Sequence, residues 1–84
     1  MRIRCFCGRF MKKLRHETTT SGGARTEYRC SRCGARAVLA WLRSTDTKPF
    51  AGAIWSADYT MRGDLGWSEP AGEWYVFSKR FIAA

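Results

Sequence analysis

The chain has 84 residues, room for one small domain or one metal-stapled module with an appendage, and at this size a metal staple is physically sensible. Hydrophobic content of 45% and aromatic content of 14% exclude a disordered tail, and no apolar run approaches the ~20 residues needed to cross a membrane. The net charge of +8 is uneven: residues 1–43 carry eleven Lys/Arg against Glu17 and Glu27, a net of +9, while residues 44–84 carry −1 and hold eight of the twelve Phe, Trp and Tyr residues. That asymmetry predicts an anionic partner for the first half.

Residues 2–5 read as a short strand entering Cys5-Phe6-Cys7-Gly8. From Arg9 to Thr18 the chain alternates, with Phe10 and Leu14 on one face, Arg9, Met11, Lys13 and Arg15 on the other, and Lys12 intruding on the apolar side. Residues 18–23 (TTTSGG) are small and polar and predict a loop, either a plain hairpin tip or a finger that orders on a partner. Arg25 to Cys30 alternates again, Arg25, Glu27 and Arg29 outward, Thr26, Tyr28 and Cys30 inward, and delivers Cys30-Ser31-Arg32-Cys33-Gly34. Ala35 to Arg43 is apolar on both faces and is assigned to a third strand, because a ribbon continues that way beyond its second cysteine pair. Residues 44–49 form a linker or wide turn. Beyond them Ala53–Met61 and Glu73–Phe81 read as two aromatic-rich strands, with Arg62-Gly63-Asp64 beginning the turn region between them and Pro70-Ala71-Gly72 closing it.

The four cysteines are the only ones in the chain, and 22 residues separate the two pairs. Each pair is followed by glycine, which reaches φ > 0 without steric penalty and lets a tight turn aim backbone N–H groups at the sulfurs. Two such turns facing each other supply the four thiolates of a tetrahedral zinc site. The second pair has the usual Cys-x-x-Cys spacing, whereas Cys5-x-Cys7 is one residue short and demands a tighter turn. Met1-Arg2-Ile3-Arg4 leads into the first cysteine with no apolar run, which argues against a secretory signal and for a cytoplasmic setting in which paired cysteines hold metal rather than disulfides. Iron in a rubredoxin-like site is the other occupant such ligands allow. His16, the sole histidine, is the one further soft ligand that can replace a cysteine.

The first half resembles a zinc ribbon through Cys5-Phe6-Cys7-Gly8, the intervening strands and Cys30-Ser31-Arg32-Cys33-Gly34. Among small ribbon proteins, Ile3-Arg4-Cys5 so near the start, with Tyr28-Arg29-Cys30-Ser31-Arg32-Cys33, resembles the Com-type translational regulators of Mu-like phages, which implies binding of messenger RNA through a compact zinc module. Their first cysteine pair has the longer spacing, and residues 44–84 lie outside the resemblance.

The expected fold is therefore small and mainly β: a metal-stabilised zinc ribbon over residues 1–43, with an antiparallel β-hairpin over residues 44–84 packed on it at Trp41 and Leu39. Cys5, Cys7, Cys30 and Cys33 are the expected Zn2+ ligands, in a closed and hence non-catalytic site. Arg4, Arg9, Lys12, Lys13, Arg15, Arg25, Arg29, Arg32 and Arg36 surround them and are the expected contacts to nucleic acid, arginine suiting bidentate phosphate recognition. A different class of function is a phage-type inhibitor or adaptor that docks on a protein of the transcription, translation or defence machinery, with Trp55, Tyr75 and Phe77 as its interface.

Overall fold

The computed structural model describes residues 1–82. Six strands, β1 (Lys12–Thr18), β2 (Ala24–Arg29), β3 (Arg36–Trp41), β4 (Ala51–Trp55), β5 (Met61–Ser68) and β6 (Glu73–Phe81), form one open antiparallel sheet in which each strand pairs only with its sequence neighbours. The period-two pattern of β2 sets the two faces. Ala24, Thr26 and Tyr28 point inward, where Ala37, Leu39, Ile54, Leu65 and Trp74 from the other strands are also buried, while Arg25 and Arg29 point out. Thr26 is buried without a polar debt, because Trp41 Nε1–H donates to its Oγ1 at 2.9 Å and His16 Nδ1 lies 2.7 Å from the same oxygen.

Ile3, Cys5 and Met11 complete this core. The segment that carries them bridges the two margins of the sheet. Arg4 N–H donates to Trp74 O and Trp74 N–H to Arg2 O, so residues 2–4 run parallel to the start of β6, while Cys5 N–H donates to Arg9 O and Met11 N–H to Ile3 O in an antiparallel hairpin leading into β1. The Arg4 guanidinium pins the arrangement with bonds of 2.9 and 3.2 Å to the Glu73 carboxylate, whose pKa is held below its ordinary value chiefly by that hydrogen bond.

Several sequence expectations shift in register. Met11, assigned to the basic face, is buried, whereas Phe10 and Leu14 are exposed. A β-bulge between Lys13 and Arg15 leaves Leu14 unpaired, so the alternation read through Arg9–Thr18 does not carry across it. The expected strand Ala53–Met61 is interrupted by a turn at residues 56–60, and the second half contains three strands rather than two. That half does not lie across the ribbon as a separate hairpin. It continues the sheet edge to edge, with Arg36 opposite Trp55 and Ala37 opposite Ile54. Arg62-Gly63-Asp64 is not a turn but the interior of β5. Glycine is needed at 63 for space: a Cβ there would meet Val76 Cγ1 at 2.8 Å, Ile54 Cγ2 at 3.0 Å and the Ser78 carbonyl oxygen at 3.0 Å.

Candidate metal centre and basic face

The two cysteine pairs occupy the tips of two hairpins that meet at one point. Residues 3–5 and 9–11 carry the first, and β2 and β3 carry the second. In the longer turn Cys30 N–H donates to Ala35 O and Gly34 N–H to Cys30 O; in the shorter one Cys5 N–H donates to Arg9 O and Gly8 N–H to Cys5 O. The two turns are the same device with one residue removed. Gly8 at φ 89° and Gly34 at φ 76° both occupy the left-handed region that closes it.

All four cysteines are free thiols, and their sulfurs lie within 4.8 Å of one another. Cys5 Sγ is 3.3 Å from Cys33 Sγ and Cys7 Sγ is 3.6 Å from Cys30 Sγ. Four sulfurs at ~2.3 Å from one tetrahedral ion stand about 3.8 Å apart, so the cluster fits a metal ion with small adjustments. Cys5 and Cys30 are buried and belong to the hydrophobic core, whereas Cys7 and Cys33 are exposed. Burial raises both inner thiols. At Cys30 it is outweighed by the backbone N–H groups of Cys33 and Arg32 and by the neighbouring thiols, which hold its pKa near about 6. At Cys5 burial prevails and the pKa is well above the ordinary thiol value, with the Cys33 and Cys30 thiols adding to the rise. A cation held here would have to deprotonate the buried Cys5 thiol against that rise. His16 takes no part in the cluster: it faces Thr26 and meets the Trp41 ring edge-on at 6.0 Å.

Cross-strand register arranges the cations. Lys12 pairs with Arg29, Arg29 with Arg36, Arg36 with Trp55, Trp55 with Arg62 and Arg62 with Arg80, so these residues form one transverse row on the outer face. With strands ~4.8 Å apart, the row is about 24 Å long. Among the described residues, Lys12, Arg29 and Arg36 make no ion pair, nor do Arg9, Lys13 and Arg32. The Arg62 guanidinium lies 5.5 Å from the centre of the Trp55 ring, a cation–π contact. Asp64 partly neutralises the far end of the row, 4.0 Å from Arg62 and 3.5 Å from Arg80.

Other candidate residues are already engaged within the protein. Arg15 and Arg25 clamp Glu27 at 2.9 and 2.8 Å and hold its carboxyl below the ordinary value despite partial burial. Arg4 is committed to Glu73, to the Gly8 carbonyl and to the Phe10 ring. Of the aromatic trio, Trp55 sits in the basic row, while Tyr75 and Phe77 form an edge-to-face pair near the start of β6 with 40% and 58% of their surface exposed. Arg62 and Arg80 went unassigned in the sequence because they lie in the nearly neutral half; only the strand register reveals their alignment with Arg29 and Arg36.

Fold and site together define a small all-β protein with a four-cysteine cluster able to hold a metal ion. No protein-family model, curated protein or solved structure matches the chain, so the resemblance to Com-type regulators rests on the residues around its cysteines alone. No helix is long and apolar enough to cross a membrane among the described residues.

Proposed function

We propose that the protein is a zinc-stapled module that binds nucleic acid through its outer sheet face. The observation that carries this reading is the transverse row of Lys12, Arg29, Arg36, Arg62 and Arg80, whose first three members have no carboxylate partner among the described residues. Cations left uncompensated along one line suit a polyanion with regularly spaced charges. Zinc is the metal we assign, since a four-sulfur tetrahedral set suits it and a cytoplasmic setting keeps the thiols reduced. Four thiolates fill its coordination and leave no position for substrate, so the metal's role is structural and the protein is a binder, not an enzyme.

Binding should be measured by fluorescence anisotropy of labelled oligonucleotides over a series of salt concentrations. Replacing Lys12, Arg29 and Arg36 together by glutamine lowers the slope of log K against log salt by about 2–3 units, at ~0.7–0.9 per phosphate contact. All three side chains are exposed, so zinc content and fold persist in this variant. An unchanged slope would show that the row does not face phosphates.

A second reading draws on Tyr75, Phe77 and Phe81, exposed along β6 by 40%, 58% and 83%. Such a surface suits an adaptor or inhibitor docked on a protein of the transcription, translation or defence machinery. Capture from a lysate separates the two readings: a protein retained after nuclease treatment, and lost on replacing Tyr75 and Phe77 by serine, favours the second.

A further inference from the structure

The turn between β4 and β5 presents an aromatic ring beside Arg36 and Trp55 of the basic row. Tyr59 has φ 60°, the only positive φ outside glycine among the described residues, and 60% of its surface is exposed. A tyrosine in the left-handed region is strained, and turns ordinarily place glycine or asparagine there. Its surroundings hold it in place. Asp58 Oδ1 accepts from the Thr60 hydroxyl at 2.7 Å, the Ser56 hydroxyl at 2.8 Å and the Thr60 N–H at 3.1 Å, while Tyr59 N–H donates to Ser56 O at 2.9 Å. The Thr60 and Ser56 bonds keep the Asp58 carboxyl at about 2, so it stays ionised and the turn stays tied across ordinary pH. Beside it, Arg36, Val38, Trp55 and Tyr59 line a shallow depression of about 380 Å³ together with the Arg15–Glu27–Arg25 clamp.

We propose that the outer face binds single-stranded nucleic acid laid across the strands, with an unpaired base seated on Trp55 and Tyr59 and the flanking phosphates on Lys12, Arg29 and Arg36 at one side and Arg62 and Arg80 at the other. This rests on the nucleic-acid reading above and makes it specific. Aromatic faces between cations reward bases whose π-surfaces are free, and in a duplex those surfaces are already stacked. Every element among the described residues is a strand of one sheet, and the row crosses its outer face, with no helix among them to enter a major groove. The shallow depression beside Arg36, bordered by Trp55 and Tyr59, instead matches a stacking platform next to a line of cations.

The test is anisotropy titration of the metal-loaded protein with fluorescein-labelled dT12, rU12 and a 12-base-pair duplex at 50 mM salt. Single strands should bind at least about tenfold more tightly than the duplex, and Trp55→Ala and Tyr59→Gly should each weaken single-strand binding by about fivefold or more, the lower end of what loss of one base stack costs. Trp55→Phe retains most of the affinity. Tyr59→Gly puts glycine where the backbone favours it, so weakened binding there does not come from misfolding; thermal melting verifies this. Duplex binding equal to that of single strands, or wild-type affinity in Tyr59→Gly, overturns the inference and leaves the broader reading standing. No binding of any probe at 50 mM salt overturns both.

Discussion

Removing the metal tests the centre most directly. A metal held by both hairpin tips ties Cys7 to Cys30 across 22 intervening residues. By the loop-closure relation for cross-links, freeing a loop of about 24 residues forfeits about 3–4 kcal/mol at 25 °C. A domain of this size has ~4–13 kcal/mol of stability in all, so the loss is a large share of it. At ~4–8 °C per kcal/mol for small domains, the melting temperature should fall by about 12–32 °C. The effect is also local. Ile3, Cys5 and Met11 are tied to the rest by the Arg4–Glu73 pair and the bonds to Trp74, and would be tied by a metal in the cysteine cluster, whereas Leu39 and Ile54 lie within the continuous sheet. Elemental analysis should find one metal per chain. On chelation, amide exchange should accelerate first at residues 3–11 and only at higher temperature at Leu39 and Ile54. A protein without metal, or one whose melting point moves by less than a few degrees on chelation, refutes the reasoning.

Gly63→Ala places a methyl group against Val76, Ile54 and a backbone oxygen, and should destabilise by about 1–3 kcal/mol in urea titration; a neutral result means β5 and β6 separate more easily than their packing indicates. Ile54→Ala, which empties a fully buried site, should cost about 2–5 kcal/mol, and a loss under 1 kcal/mol would place Ile54 outside the core. Because Arg4 depresses the Glu73 pKa in the folded state, that pair contributes stability present above the ordinary carboxylate pKa and lost as pH falls through the lower folded value. Urea midpoints measured from pH 7 to pH 2 should therefore decline less steeply at the acid end in Glu73→Gln than in the parent, and parallel curves would assign the acid sensitivity elsewhere.

The cysteine turns were legible in the sequence because their information is local: two ligands and a glycine within five residues suffice. β2 was legible because its alternation is uninterrupted. The strand before it was not, since a bulge is a tertiary adjustment that leaves no mark in residue type, and Leu14 looks like any other apolar position. The second half misled through turn chemistry. The turn at residues 56–60 contains neither glycine nor proline and is built from the hydroxyls of Ser56 and Thr60 on Asp58. Meanwhile Gly63-Asp64 carries the residues of a turn but sits mid-strand, because Ile54 and Val76 leave no space above residue 63. The basic face was half legible. Charge counting located Arg29 and Arg36, but only pairing across β4 and β5 could bring Trp55, Arg62 and Arg80 into line with them.

The bridging role of residues 2–4 also bears on the order in which the chain assembles. Every strand pairing in the sheet joins sequence neighbours, the type of topology that forms quickly as successive hairpins. All four cysteines lie within the first 33 residues, so the full ligand set can be made before β4, β5 and β6 are. The cover over Ile3 cannot: its backbone partners on that side belong to Trp74, near the far end of the chain. A nascent chain halted before residue 74 could hold metal yet would leave Ile3 uncovered, which makes the last hairpin the step that seals the first.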